Sequence, residues 1–254
     1  MKLYYQTIGT GQPLVILHGL FGSSDNWRGL AKQLATTAQV ITVDLRNHGH
    51  SPHSSEQTYA LMVEDLAELF ERLKLDKVDI IGHSMGGKVA MAFSQCYPQW
   101  LGKLVVVDIA PRQYHDEHNG IFRALLALDL SMYTSRTEVD TALKSALPNK
   151  AVRQFLLMNL TIIGKQLSWR INLQALYDNY PQLLEAVCDG NTIMLPSCFI
   201  RGGQSDYIGD EDEDLIKTRF PDAELVTIEQ AGHWVHAEAP KQFLTKITEF
   251  LDYD

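Results

Sequence analysis

The fold is decided by residues 78–87, which read VDIIGHSMGG. The first four form a short β-rich run, and an apolar stripe at helical spacing follows at residues 89–96. Ser84 therefore lies on a sharp turn between a predicted strand and a predicted helix. Such a turn closes only if the residues two before and two after the serine are small, and these are Gly82 and Gly86. This setting is typical of a nucleophilic serine.

Similar short runs lie on both sides of this turn and alternate with segments of helical period. They occupy residues 14–17, 40–43, 78–81 and 104–107. The runs are almost entirely apolar, as is typical of parallel strands that are buried on both faces and connected by crossover helices. The pattern therefore predicts an α/β fold with a mostly parallel sheet flanked by helices.

The strand signal stops after Pro111 for about 80 residues, and several helical patterns take its place. Strand character returns at residues 197–201 and 224–228, and a last amphipathic helix follows. We therefore expect residues 1–110 and 196–254 to form the α/β core. Residues 111–195 are expected to form an inserted helical cap.

A second motif, HGLFGS at residues 18–23, follows the first predicted strand. An acyl-transfer site needs two backbone N–H groups aimed at the developing oxyanion. One comes from the residue after the nucleophile and the other from this early loop. Met85 is predicted to supply the first donor of the oxyanion hole. Either Leu20 or Phe21 supplies the second, because the choice depends on the dihedral angles of the loop.

A third motif, GHWVHAEAP at residues 232–240, lies between the last predicted strand and the last helix. His233 is predicted to be the general base that accepts the Ser84 proton and later returns it to the leaving group. His236 and Glu238 are predicted to position this loop.

Two aspartates compete to orient the histidine and stabilise its charged form. Asp206 follows the strand predicted at residues 197–201, and Asp108 ends the run at residues 104–107. Both positions lie at the carboxyl edge of the sheet, where ligands bind in open α/β folds. Either aspartate can therefore reach His233, and the other is expected to lie near the site.

The composition limits the partners and the location of the protein. The chain of 254 residues has 22 Lys plus Arg against 31 Asp plus Glu, a net charge of −9, which argues against binding nucleic acid. No apolar run approaches the roughly 20 residues of a membrane span, and the N-terminus lacks a signal-peptide pattern. Its three cysteines lack metal or redox spacing. We expect a cytoplasmic protein without an integral membrane span.

Other residue groups give weaker signals. His48, His50 and His53 are interpreted as part of a turn over the rim of the site, and His115 and His118 as surface residues, because no set of four metal ligands with fixed spacing is present. No dinucleotide or phosphate-loop fingerprint occurs. The sequence therefore predicts neither a metal nor a cofactor.

The three motifs together resemble the α/β-hydrolase family over essentially the whole chain. Within this family, residues 44–51, 107–111 and 232–238 look like the YbfF-type bacterial esterases. That resemblance implies esterase activity on short acyl esters, activity on acyl-CoA thioesters, and no cofactor. The group places the acid at the position of Asp108, whereas the wider family usually places it at that of Asp206. The resemblance therefore favours Asp108.

These patterns predict a serine hydrolase that cleaves small acyl esters or thioesters through an acyl-enzyme. One alternative is an enzyme with the same triad that cleaves a carbon–carbon bond or an amide, because the turn does not specify the leaving group. Another is a ligand-binding module without catalytic activity on the same fold.

Overall fold

The computed structural model describes residues 1–253 and contains a seven-stranded sheet and a separate hairpin. The strands are β1 (Tyr4–Ile8), β2 (Gln12–Leu17), β3 (Ala38–Asp44), β4 (Val78–His83), β5 (Leu101–Val107), β6 (Leu160–Ile163), β7 (Gln166–Trp169), β8 (Ser197–Gly202) and β9 (Ala223–Ile228). The main sheet has the order β1-β3-β2-β4-β5-β8-β9, and β6 pairs with β7. Only β1 is antiparallel to its neighbour in the main sheet.

Helices connect and cover the strands. They are α1 (Arg28–Leu34), α2 (Tyr59–Leu73), α3 (Met85–Cys96), α4 (Asn119–Leu126), α5 (Arg136–Leu143), α6 (Lys150–Leu156), α7 (Leu173–Asp178), α8 (Tyr180–Leu184), α9 (Asp212–Arg219), α10 (Val235–Glu238) and α11 (Pro240–Leu251). Within residues 1–253, none of these helices is both long enough and apolar enough to cross a bilayer.

The core has two layers, one on each face of the main sheet. In β2, Val15 and Leu17 belong to the cluster that includes α2 and α3, whereas Leu14 and Ile16 belong to the cluster that includes α1 and α11. Successive side chains of a strand point to opposite faces, so a strand covered on both sides is apolar at every position. All four of these residues are at most 1% exposed.

The predicted α/β class with a mostly parallel sheet is confirmed, and all six predicted strand runs fall within strands of the main sheet. The sequence analysis missed β1. This strand is mostly exposed and pairs only with β3 at the edge of the sheet. Because it has little apolar surface to bury, its sequence YYQTI does not show the apolar run of a central strand.

Residues 111–195 lie between β5 and β8 and contain α4 to α8. The prediction that the strand signal stops here was wrong, because β6 and β7 form a hairpin within this segment. Its two-residue turn has Gly164 at φ 66°, a conformation that glycine adopts without strain. Hydrogen bonds attach the segment to the core, including one from Asn172 N to Asn47 O (2.9 Å) and one from Tyr59 Oη to Leu183 O (2.7 Å).

Candidate active site

Ser84 lies where β4 ends and α3 begins, with the strained dihedral angles φ 51° and ψ −119°. A methyl group on Gly82 would lie 2.3 Å from the carbonyl oxygen of Gly86, and one on Gly86 would lie 2.6 Å from that of His18. Only glycine therefore allows the strand, the turn and the helix to approach so closely. The sharp turn predicted around the serine is present.

The structure brings Asp108 and His233 together from positions 125 residues apart. Asp108 follows β5 and is fully buried, and its Oδ2 lies 2.7 Å from Nδ1 of His233. The same carboxylate accepts hydrogen bonds from Ser205 Oγ (2.5 Å) and from the Gly202 backbone N–H (2.9 Å). Three donors therefore hold the carboxylate in one orientation toward the imidazole.

Burial sets the protonation of this pair. Loss of water raises the pKa of Asp108 to about 7, against the opposing effect of the hydrogen bonds from Ser205 and Gly202. Burial, followed by the nearby His118, lowers the pKa of His233 to about 3. The imidazole is therefore neutral at neutral pH, which is the state that a general base requires. A neutral ring with its proton on Nδ1 donates a hydrogen bond from that N–H to Asp108 and leaves Nε2 free to accept a proton.

Asp206 does not form this contact. It is exposed in the loop after β8, and the hydrogen bond from the imidazole of His233 is accepted by Asp108 instead. The loop directs Ser205 toward the buried carboxylate and leaves the side chain of the next residue in solvent. Of the two aspartates considered from the sequence, the geometry brings only Asp108 to His233.

The candidate oxyanion donors surround Ser84. Met85 is the first residue of α3, and Leu20 and Phe21 occupy a turn closed by the hydrogen bond from Gly22 N to Gly19 O (2.9 Å). Within residues 1–253, the backbone N–H groups of Leu20, Phe21 and Met85 donate no hydrogen bond. All three N–H groups are therefore not used within the described part of the protein, as is required of an oxyanion donor.

Two cavities meet at Ser84 and share Leu20, His118 and Tyr207 in their linings. The one that we call the tyrosine-lined cavity also contains Tyr59, Met85, Lys88, Tyr114 and Tyr180. The other, the histidine-side cavity, also contains His83, Phe155, Leu156, His233 and Trp234. Ser84 and His233 thus face a common space. The Ser84 hydroxyl makes no hydrogen bond within residues 1–253, as is common before a substrate is bound.

A model of the family described as alpha/beta hydrolase fold matches residues 12–240. The chain belongs to the α/β-hydrolase family. Esterase YbfF from Escherichia coli (strain K12) is 38% identical over 243 residues, which cover 94% of this hydrolase and 93% of that relative. The sn-1-specific diacylglycerol lipase ABHD11 from Danio rerio is 39% identical over 251 residues, 96% of this chain and 79% of the relative.

A solved structure of a marine microorganism esterase has 42% sequence identity to this hydrolase and superimposes with a TM-score of 0.96. The match covers 98% of this chain and 99% of that chain. These similarities confirm the expected hydrolase fold and the resemblance to YbfF-type bacterial esterases. They also confirm the expected class of enzyme, an ester hydrolase.

The loop of residues 229–234 that carries His233 is held by side chains on several sides. Glu238 Oε2 accepts a hydrogen bond from Gly232 N (2.7 Å), and the buried His236 stacks on Trp27 with ring centroids 4.1 Å apart. His83 Nε2 hydrogen-bonds the carbonyl oxygen of His233 (2.9 Å). His236 and Glu238 therefore occupy the loop-supporting places that the sequence analysis expected, and His83 was not foreseen.

Two further residues of the hydrolase site were missed or misplaced. His118 was interpreted as a surface residue, but it is only partly exposed and lines both cavities. The interpretation failed because the polar residues around it gave no periodic pattern. Tyr207 stacks on the imidazole of His233, and nothing in its local sequence distinguishes it from an ordinary loop tyrosine.

Proposed function

We propose that the protein is a serine hydrolase that cleaves carboxylic esters through an acyl-enzyme formed on Ser84. The observation that supports this proposal best is the hydrogen bond from His233 to the buried Asp108, with His233 and Ser84 in one cavity. The names of the relatives, an esterase and a diacylglycerol lipase, also support ester substrates.

In the first half-reaction, the hydroxyl oxygen of Ser84 attacks the ester carbonyl carbon while Nε2 of His233 takes the hydroxyl proton. The imidazolium that forms is stabilised by the carboxylate of Asp108. The carbonyl oxygen becomes negative and accepts hydrogen bonds from the N–H groups of Met85 and of Leu20 or Phe21. His233 then gives its proton to the alcohol oxygen, the carbon–oxygen bond breaks, and the acyl group stays on Ser84.

In the second half-reaction, water attacks the acyl-enzyme, and His233 takes a proton from that water. The second tetrahedral intermediate collapses, His233 returns the proton to Ser84, and the carboxylic acid leaves. One ester and one water thus yield one acid and one alcohol, and the enzyme returns to its starting state without an external cofactor.

The position of His233 assigns the two cavities to the two parts of the ester. The departing alcohol must lie within reach of the residue that protonates it, and His233 lines only the histidine-side cavity. The alcohol portion therefore occupies that cavity, where Phe155 and Trp234 form an aromatic wall with ring centroids 5.6 Å apart. The acyl portion occupies the tyrosine-lined cavity beside Met85.

Residues 111–195 act as a cap over this site in the proposed enzyme. Val152 and Phe155 of α6 line the alcohol side, whereas Tyr180 and Leu183 of α8 line the acyl side. The side chains that contact the substrate thus come partly from the inserted segment. An acyl-CoA thioester would be cleaved by the same steps, with His233 protonating the departing thiolate.

A fluorophosphonate that reacts with activated serines tests the proposal. We expect one phosphonyl group on Ser84, found by peptide mass spectrometry, with loss of hydrolysis in proportion to labelling. A substrate panel of matched esters, thioesters and amides then identifies the leaving group. Labelling elsewhere, or unchanged hydrolysis by fully labelled protein, would contradict the proposal, and cleavage of amides alone would favour the amidase alternative.

A further inference from the structure

Lys88 is a buried cation one helical turn after the proposed nucleophile. It is 1% exposed, and its backbone N–H donates to the carbonyl oxygen of Ser84 (3.1 Å). Residues four apart on a helix lie on the same face, so its side chain extends from the same side of α3 as Ser84. Lys88 and Ser84 both line the tyrosine-lined cavity.

The groups in direct contact with the ammonium of Lys88 are all neutral. Its Nζ donates to the carbonyl oxygens of Leu184 (3.3 Å) and Glu185 (2.5 Å) and lies 4.9 Å from the ring centroid of Tyr114. No carboxylate within residues 1–253 forms an ion pair with it. An ammonium has three N–H donors, and two of these are used.

Two other buried cations of the chain differ from Lys88 in this respect. Arg46 and Arg153 are 5% and 4% exposed, and each forms an ion pair with a carboxylate, Asp65 and Asp140 respectively. A buried charge without a counter-charge is costly. The cost appears as a shift in the pKa of Lys88: burial, followed by the nearby Arg112, lowers it to about 7, against the opposing effect of the exposed Glu185 carboxylate.

We infer that Lys88 binds a carboxylate at the far end of the acyl group, so that the enzyme acts on monoesters of dicarboxylic acids. The inference rests on the proposed function, because it assigns the acyl part of the ester to the tyrosine-lined cavity. A substrate carboxylate there would supply the missing counter-charge. Charge-assisted hydrogen bonds are the strongest that a side chain forms, and they strengthen further when water is excluded.

The remaining charged residue in this cavity does not occupy the place of that carboxylate. Glu117 lines the same cavity but is exposed, so that water screens its charge. The aromatic rings of Tyr59 and Tyr114 lie beside the ammonium, with centroids 5.6 and 4.9 Å from Nζ. The lining therefore combines apolar and aromatic side chains, which suit a short methylene chain, with one buried positive group.

The test compares benzyl half-esters of malonate, succinate, glutarate and adipate with neutral benzyl esters of equal chain length, with benzyl alcohol measured by chromatography. We expect the wild-type enzyme to prefer at least one half-ester to its neutral counterpart by roughly tenfold or more. In Lys88→Met, kcat/KM for that half-ester should fall roughly 10- to 100-fold, mostly through KM, because the contact forms in both ground and transition states. The fall in kcat/KM for the neutral ester should be several-fold smaller, because that ester has no carboxylate contact to lose.

Lys103→Met is the matched control. Lys103 Nζ also donates to the last carbonyl groups of a helix, those of Phe250 (3.0 Å) and Leu251 (2.6 Å), but it does not line either site cavity. If Lys88 served only to hold the end of α8, its removal would slow both classes of ester alike. That result, or a wild-type enzyme with no preference for any half-ester, would overturn the inference.

A measurement on the wild-type protein alone keeps the inference testable if Lys88→Met does not fold. The free dicarboxylates should inhibit hydrolysis of a neutral benzyl ester competitively, and monocarboxylates of the same length should inhibit at least roughly tenfold more weakly. Equal inhibition by both would contradict the inference. Hydrolysis that persists in Ser84→Ala would instead contradict the proposed function itself.

Discussion

The imidazole of His233 lies flat against the phenol ring of Tyr207, with ring centroids 3.8 Å apart and the ring planes 20° apart. The electron-rich face of an aromatic ring attracts a cation. In the proposed reaction, His233 becomes an imidazolium in both half-reactions. Tyr207 therefore contacts the general base on its face while Asp108 contacts it at its edge, and both stabilise the same positive charge.

Replacing Tyr207 by leucine should slow the reaction without unfolding the protein. The change keeps apolar bulk over His233 but removes the ring face, so kcat should fall about 3- to 30-fold, the equivalent of a desolvated cation–π contact. The acid limb of the pH profile of kcat/KM should move to lower pH, because the charged imidazole has lost a stabilising neighbour. Tyr207→Phe keeps the ring face and should restore both quantities to near wild type. Identical kinetics in the leucine and phenylalanine variants would contradict this role.

Ser84→Ala should abolish turnover while the fold remains. Removal of the nucleophile from a complete triad costs on the order of 10⁵- to 10⁶-fold in kcat, because only the oxyanion hole and substrate binding are left. Hydrolysis of an activated ester measures the loss, and circular dichroism with thermal unfolding measures the fold. A purified variant with activity near that of the wild type would rule out Ser84 as the nucleophile.

The two aspartates should respond differently to the same change. Asp108→Asn removes the negative charge that holds His233 in its reactive tautomer, and the expected loss in kcat is on the order of 10⁴-fold at neutral pH. Asp206→Asn is the matched control, since this residue is exposed and makes no contact with the imidazole. The kcat of the Asp206→Asn variant should remain within about threefold of wild type. The assignment fails if the change at residue 206 alone stops the reaction in folded protein.

Asn159 connects the inserted segment to the oxyanion loop. It is 3% exposed, and its Nδ2 donates a hydrogen bond of 2.7 Å to the carbonyl oxygen of Phe21. Asn159→Ala should lower kcat roughly tenfold, because the loop that supplies one oxyanion donor loses its anchor. The free energy of unfolding should fall by about 1–3 kcal/mol, since a buried acceptor is left unpaired.

Ser135→Ala is the control for this variant. Ser135 caps α5 in the same segment, where its side chain accepts a hydrogen bond from the Glu138 N–H, and its loss should cost about 1 kcal/mol. Its kcat should not change. Chemical denaturation gives the stability of both variants, and single-turnover kinetics give the acylation rate. An equal effect of the two changes on acylation would mean that Asn159 acts through stability alone.

Acid should unfold the protein partly through His48. This residue is completely buried, and burial, with a smaller effect of His18, lowers its pKa to about 3. An unfolded histidine takes up its proton at about pH 6.5, so between these values the unfolded state binds more protons than the folded state. Stability therefore falls as the pH falls from about 6.5 toward 3, by up to about 1.4 kcal/mol per pH unit for this group. His48→Gln should flatten the dependence, measured by urea unfolding across that range, and an unchanged slope would contradict the assignment.

The sequence by itself determined the features that depend on neighbours along the chain. The turn at Ser84 is one, because glycine two residues before and after it is a local steric requirement that can be read directly. The central strands are another, since burial on both faces makes every position apolar. The edge strand β1 and the hairpin of β6 and β7 carry no such constraint, so the same reasoning missed them.

The family resemblance favoured Asp108, but only the tertiary structure shows that Asp108, and not Asp206, contacts His233. Both aspartates follow strands at the same edge of the sheet, so the sequence placed either one within reach of His233. The difference lies in side-chain direction and in the burial of the carboxylate, and these depend on packing between segments about a hundred residues apart. The stacking of Tyr207 on His233 is decided in the same way. So is the lack of an ion pair at Lys88 within residues 1–253. Whether a side chain finds a hydrogen-bond partner or a counter-charge depends on how distant segments pack together.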